Sequence, residues 1–478
     1  MALMIAGDRS GVGKTTVTLA LLAFLASQKH RVQSFKVGPD YIDPMFHSAI
    51  TGRPCRNLDP ILTSETYVQL CFTKHCQGVE YALVEGLMGL FDGIPYKRAD
   101  STRLKGATIK TSEKISSLDY GSTAHIARLL NIPVVLVIDC SHLSGSVAAI
   151  THGYSSLDPH INLVGVILNR VGSNRHLHLL QQSLDTLNIP ILGTLHRKDS
   201  LTIPTRHLGL IPTTEMTHLE SLFRQLANLA QTAFNWQYLF PLLTPSPLDS
   251  LTPSPVHPLI HSSPIKIAIA SDNAFSFYYQ DNLDILQTLG AKLIPWSPLE
   301  DENLPKDIHG LYFGGGFPEM FAQDLSRNYR VREAVKAAIV SQIPTYAECG
   351  GLMYLCQQII DFQAQKWPMV GILPTTAIMR KNLNLGYRQA TALQDGPLLT
   401  IGQTIWGHEF HRSHLTFISK NPLFSVQDWQ SNSLREKEGW KIHQLHASYI
   451  HLHFGGHSEF LRKFLGHCLD FLRSSKLN

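Results

Sequence analysis

The sequence predicts an α/β protein: a doubly wound parallel sheet around a phosphate-binding loop, then a linker and a second α/β domain. Short runs rich in Val, Ile and Leu alternate with helix-patterned stretches through the first half, as buried parallel strands and their crossover helices do. Residues 7–16, GDRSGVGKTT, stand between an apolar run and a helical one. Residues 241–264, PLLTPSPLDSLTPSPVHPLIHSSP, are rich in Pro and Ser and read as a semi-extended linker. The expected domains are therefore 1–240 and 265–478, joined by 241–264.

The loop comes first. Ala2–Ala6 reads as a strand and Val17–Ala23 as a helix, the context a phosphate loop requires. Gly11, Val12, Gly13, Lys14, Thr15 and Thr16 are the expected nucleotide-binding residues. Their backbone N–H groups can approach phosphate, and the helix N-terminus adds partial positive charge. Lys14 would reach the β/γ-phosphates, and the Thr15 hydroxyl would bind Mg²⁺. The usual G-x4-G-K-[ST] spacing asks for glycine at position 8; Asp8 stands there, and Gly7 leads one residue early.

Further strands are expected at 32–37, 81–84, 134–138, 163–168 and 191–195. Helices are expected over 14–27, 64–76, 122–130, 143–155, 174–187 and 216–233, with Ser122 or Thr123 capping the third. In such sheets ligands sit beyond the carboxyl ends of the strands. Two acidic loops lie there, GPDYIDP after strand 32–37 and EGLMGLFDG after strand 81–84. Asp40, Asp43, Glu85 and Asp92 are candidate hard-oxygen ligands beside Thr15, and Lys36 is a candidate second phosphate contact. Turn chemistry is the competing account of these acids, above all for Asp43 and Asp92. Residues 94–120 lack periodicity and carry six Lys or Arg, as a substrate loop or a solvated loop would.

Composition narrows the function classes. The chain has 478 residues, 44% apolar and 16% charged, enough for two or three packed domains. A net charge of +4 without a Lys/Arg cluster suits an acidic small molecule better than nucleic acid. Seven cysteines without a CxxC pair, and no signal-peptide pattern, point to a reducing cytoplasm. No apolar run approaches the ~20 residues of a membrane span, so no membrane partner is expected.

The second half opens strands at 265–270, 292–294, 310–313 and 343–346. The last leads through Ala347-Glu348-Cys349-Gly350-Gly351 into a helical run. Cys349 has small residues two before and two after it, the geometry of a nucleophile elbow, and a helix N-terminus would favour its thiolate. A thiolate nucleophile needs a base and an oxyanion hole. The amides of Gly315 and Gly316, in FGGGFPE, can form the hole with that of Gly350. The base falls within ASYIHLHF, where His451 and His453 share a strand face and spacing cannot choose between them. His408, His411 and His414 suggest a metal site only weakly, because the segment reads as a strand.

These stretches, together with FKVGPDYIDPMFH, VEGLMGLFDG, GSTAHIARLL, YAECGGLMYL and GHEFHRS, resemble the cobyrinic acid a,c-diamide synthase family end to end. These are glutamine-dependent corrin amidases of the cobyrinic/cobyric acid group. The resemblance implies a dethiobiotin-synthetase-like P-loop domain and a class I (triad-type) glutamine amidotransferase domain. It implies ATP-dependent amidation of the a- and c-carboxylates of cobyrinic acid in cobalamin biosynthesis, through acyl phosphates, with Mg²⁺. ATP and L-glutamine would be co-substrates. Cys349 would be the nucleophile and His451, rather than His453, its base. Thr15, Asp40 and Glu85 would hold the metal, and Tyr41, Asp43 and Asp92 would belong to the synthetase site. Class I glutaminases usually carry Glu two residues after the catalytic His; here that position is His453, so what orients His451 is open. Ammonia is expected to travel internally to the synthetase site, and a homodimer is a candidate assembly. Nickel-sirohydrochlorin or another tetrapyrrole carboxylate is the alternative substrate, and a partition-type nucleotide switch the alternative class. Such switches carry an extra lysine early in the loop, where this chain has Asp8, Arg9 and Ser10.

Overall fold

The computed structural model describes residues 2–95, 118–197, 203–206, 209–245, 264–429 and 436–475. The chain divides into two compact units, Met1–Pro60 with Glu65–Pro253, and Ile61–Ser64 with Ser254–Asn478. A helix at Trp236–Leu243 carries the first unit past residue 240. Most of the expected linker and of the basic loop lie outside the described residues.

The first unit is built on seven strands. They are β1 (Leu3–Gly7), β2 (Val32–Val37), β3 (Arg56–Leu58), β4 (Tyr81–Glu85), β5 (Val134–Asp139), β6 (Leu163–Val171) and β7 (Ile191–His196). They run in the order β3-β2-β4-β1-β5-β6-β7, and every neighbouring pair is parallel. The phosphate loop leaves β1 at the centre of the sheet. It enters helix α1 (Lys14–Ser27), whose Val17, Leu19, Leu21, Leu22 and Leu25 are all buried. A helix so apolar is covered on several sides, not along one stripe. Sheet and helices close over one core that includes Met4, Phe35, Phe72, Val84, Leu136 and Leu168.

Two elements escape the sequence pattern. β3 is only three residues long. Helix α2 (Ile42–Thr51) occupies what reads as an acidic loop. Its Pro44 sits in the first turn, where a missing N–H costs nothing. A further helix, α3, spans Glu65–Cys76, and two-residue strands β8 (Thr205–Arg206) and β9 (Gly209–Leu210) pair with each other.

The second unit has a twelve-stranded mixed sheet. Its parallel part comprises β10 (Ile265–Ala270), β11 (Ala291–Trp296), β12 (Gly310–Phe313) and β13 (Thr345–Glu348). Strands β14 (Cys356–Ile360), β15 (Lys366–Pro368), β16 (Leu373–Ala392), β17 (Thr404–Leu415), β18 (Pro422–Asp428) and β19 (Glu436–Ile442) follow. β20 (Leu445–Ser448) then returns parallel to β13, and the short β21 (His451–Leu452) pairs with β17. Each sheet face carries its own core: Phe275, Phe313, Leu352 and Tyr354 on one, Ile267, Tyr312, Tyr346 and Phe464 on the other.

Candidate active sites

In the first unit the loop between β1 and α1 turns through Gly13, which has a φ of 100°. A Cβ there would stand 2.2 Å from the Asn169 amide nitrogen. That nitrogen donates to the Val12 carbonyl at 2.7 Å, so β6 buttresses the loop. Lys14 lies folded back, its Nζ donating to the carbonyls of Met88 and Arg9. Burial, together with the nearby charge of Lys36, brings its pKa down to about 8. Phosphate in the loop would restore it. Asp8 is held by backbone and side chain alike: Tyr154 donates to its carbonyl at 2.6 Å, and Arg9 pairs with its carboxylate.

Beside Thr15 lies a buried ionic cluster. The Thr15 hydroxyl donates to Glu85 Oε1 at 2.7 Å and to Asp43 Oδ2 at 3.3 Å. Lys36 Nζ reaches Asp43 at 2.6 Å and Glu85 at 2.8 Å. The other Glu85 oxygen accepts from His47 Nε2 at 2.7 Å, and His47 Nδ1 faces Cys55 Sγ at 3.4 Å. Burial works against the His47 charge, yet the Cys55 sulfur and the Glu85 carboxylate carry its pKa up to about 10. Burial also opposes ionisation of Glu85, but Lys36 and His47 hold it below the usual carboxylate range. Asp43 goes the other way: burial and the neighbouring Asp40 raise it to about 7 against the pull of Lys36.

This geometry redistributes the expected roles. Asp43, not Asp40, is the aspartate beside Thr15. Asp40 Oδ1 instead accepts the backbone N–H groups of Ile42 and Asp43, at 2.8 and 3.1 Å, and so caps α2. The Lys36 ammonium is engaged by the same two carboxylate oxygens that Thr15 bonds. Tyr41 is buried at the start of α2. Asp92 accepts from Gly89 N–H at 2.8 Å and closes its own turn. Thr16 lies half-buried in the first turn of α1. His47 had no assigned role, although its spacing of four from Asp43 would have shown a shared helix face. A hydroxyl and two carboxylates form a hard-oxygen donor set that suits Mg²⁺.

In the second unit Cys349 is the hinge between β13 and a helix over Gly350–Leu355, with φ 44° and ψ −100°. A non-glycine residue in that region carries about 1–3 kcal/mol of strain. A Cβ on Gly351 would meet the Phe313 carbonyl oxygen at 2.6 Å, which explains the small residue required there. The expected thiolate does not follow. Burial raises the thiol well above its ordinary pKa, with Glu319 and Glu348 adding to the effect, and the Gly350 amide only partly offsets it. Desolvation outweighs the helix end, so the thiol needs a base.

Gly315 also changes role. Its N–H donates to the Phe277 carbonyl at 3.2 Å, which takes it out of the oxyanion hole. The Gly316 nitrogen lies 3.0 Å from where a Cβ of Gly350 would stand, so these two amides remain together at the elbow. The two histidines separate. His451 Nδ1 lies 3.2 Å from Glu348 Oε2, whereas His453 Nδ1 accepts from the Gly455 N–H at 3.0 Å and its ring packs on Tyr279. His408, His411 and His414 form no ligand set. His411 bonds the Ser413 carbonyl and stacks on Tyr449, and His414 bonds the Ile378 carbonyl.

A phosphate-loop unit and a cysteine-elbow unit in one chain define a class, the glutamine-dependent amidoligases. Residues 3–211 match the CobQ/CobB/MinD/ParA nucleotide binding domain, and residues 266–459 the CobB/CobQ-like glutamine amidotransferase domain. The cobyrinate a,c-diamide synthase of Synechococcus sp. is 55% identical, covering 98% of each chain. That of Synechocystis sp. is 52% identical over 98% of this chain and 94% of its own. A hydrogenobyrinate a,c-diamide synthase of Streptomyces coelicolor is 36% identical over 98% of this chain and 97% of its own. The chain belongs to the cobyrinate a,c-diamide synthase family. End-to-end similarity to ligases removes the nucleotide-switch alternative.

Proposed function

We infer that this chain amidates the a- and c-carboxylates of cobyrinic acid, with ammonia from glutamine and activation by ATP. The observation that carries the reading is the strained elbow at Cys349, φ 44°, in a chain whose other unit seats Thr15 against Glu85 and Asp43 at the mouth of a phosphate loop. A carboxylate is inert to ammonia until one oxygen becomes a leaving group. The corrin carboxylate oxygen attacks the γ-phosphorus, ADP leaves, and ammonia then displaces phosphate from the acyl phosphate. Lys14 and the N-terminus of α1 stabilise the charge on the transferring group. Thr15, Asp43 and Glu85 would hold Mg²⁺, which supplies positive charge to the phosphate oxygens.

At the other site Cys349 Sγ attacks the glutamine amide carbon while His451 takes the thiol proton. His451 returns that proton to the departing nitrogen, releasing ammonia and a glutamyl thioester that water hydrolyses. The Gly316 and Gly350 amides are the candidate oxyanion donors. A thiol nucleophile and an ATP requirement support a cytoplasmic setting for the reaction.

The test is ATP turnover with cobyrinic acid, with and without cobalt, and the product mass. Two amides gained per corrin supports the reading. ATP turnover without a mass change contradicts it and makes nickel-sirohydrochlorin the next substrate to try.

A further inference from the structure

We propose that Glu348, the residue immediately before the nucleophile, is the carboxylate that positions His451 and completes the glutaminase triad from an unexpected point in the chain. The inference rests on the assignment of Cys349 and His451 to glutamine hydrolysis. Where class I enzymes carry their acid, two residues after the histidine, this chain has His453, which is occupied with Gly455.

Four contacts define the arrangement. Glu348 is buried at the end of β13, and its Oε2 lies 3.2 Å from His451 Nδ1. Its second oxygen accepts from the Tyr312 hydroxyl at 2.7 Å, so the carboxylate is fixed before the imidazole meets it. β13 and β20 pair in parallel, Glu348 opposite Ser448, and the Cys349 N–H bonds the Ser448 carbonyl at 2.8 Å. That brings the elbow alongside the strand that leads into His451. On the other side, a Cβ on Gly315 would meet His451 Cε1 at 2.4 Å. The ring is therefore bounded by the glycine loop, and the next glycine of that loop touches the elbow.

With Nδ1–H donated to Glu348, Nε2 is the ring nitrogen that accepts the Cys349 proton as the S–C bond forms. The same proton passes to nitrogen as the C–N bond breaks. The Glu348 carboxylate orients the ring and offsets the imidazolium charge, as the buried carboxylate does in serine-protease triads. It is a positioning residue. Its contact with His451 spans 103 positions of sequence, which hides it from a search near the histidine.

The test is Glu348→Gln in the full chain, assayed with glutamine and separately with ammonia. Glutaminase kcat is expected to fall roughly 10²–10⁴-fold, with KM for glutamine little changed and ammonia-driven amidation kept. The acid limb of the glutaminase pH profile moves to lower pH, because the imidazolium loses its counter-charge; a purely structural role would not move it. Tyr312→Phe, which frees one carboxylate oxygen, costs only a few-fold. Cys349→Ala separates the two readings. If it retains glutaminase, the assignment of the site fails. If it is inactive while Glu348→Gln stays within about threefold of wild type, only the role of Glu348 is overturned. Should Glu348→Gln also lose ammonia-driven activity, ¹⁵N-histidine NMR of the unmodified protein decides. An Nδ1-protonated His451 supports the proposal, and an Nε2-protonated one overturns it.

Discussion

The two sites sit at the same place in their sheets, beyond the carboxyl end of a parallel strand, yet solve opposite electrostatic problems. The first gathers charge: Lys36, Glu85, Asp43 and His47 neutralise one another out of water. The second suppresses it: burial keeps Cys349 a thiol, and the carboxylate close at hand faces the imidazole instead. The difference follows the chemistry. Phosphoryl transfer needs fixed charge waiting for a polyanion, whereas amide attack needs charge only while the proton is in flight.

The comparison can be broken most sharply by disabling one site at a time. Cys349→Ala is expected to lower glutamine-dependent amidation by roughly 10⁴-fold or more and to leave ammonia-dependent amidation intact, both read by product mass. Next in size, Lys14→Ala is expected to cut ATP turnover about 10²–10³-fold with either nitrogen source, while leaving glutamine hydrolysis measurable. Parallel loss of both activities in either variant would mean that the sites are not chemically separate.

A smaller effect probes the gathered charge. The folded-state pKa of His47 is raised from 6.5 to about 10, so its stabilising pair with Glu85 is fully present below about pH 6.5 and is lost as pH rises through 10. His47→Gln is therefore expected to lose about 1–3 kcal/mol at pH 6, with the gap to wild type closing at alkaline pH. Thermal melts across pH check this; a gap independent of pH contradicts it. Smallest of all is a proton count. Lys14 has a pKa near 8, below its ordinary 10.5, and phosphate raises it again. ATP binding at pH 9 is expected to take up protons, and at pH 6 this lysine contributes none. Calorimetry in buffers of different ionisation heat reads the difference; equal heats at pH 9 would contradict it.

What the sequence reveals of each site follows from how local its contacts are. The phosphate loop and α1 are one continuous stretch, and expectation and structure agree on the helix Lys14–Ser27. The elbow at Cys349 is legible for the same reason: small residues on both sides leave one backbone solution. The ionic cluster is only half legible, because it depends on α2, whose Asp40 and Pro44 mimic a turn. The spacing of His47 from Asp43 shows only a shared helix face, because its partner Glu85 arrives from β4; Glu348 carries no local signal, because its partner arrives from β21. β16 is not legible because residues 380–387 are not buried and mark no core face, whereas the His408–His414 segment of β17 does read as a strand. The thiolate expectation failed on burial, a property of the packed domain rather than of a helix end.

The most direct test of two separate sites in one reaction is to supply [amide-¹⁵N]glutamine with ATP and cobyrinic acid and follow the label into the corrin. Wild type is expected to deliver ¹⁵N into both new amides. Cys349→Ala should deliver none from glutamine, yet form the unlabelled diamide from added ammonia. Labelled diamide made by Cys349→Ala would contradict the account at its centre, because ammonia would then have a source other than the elbow.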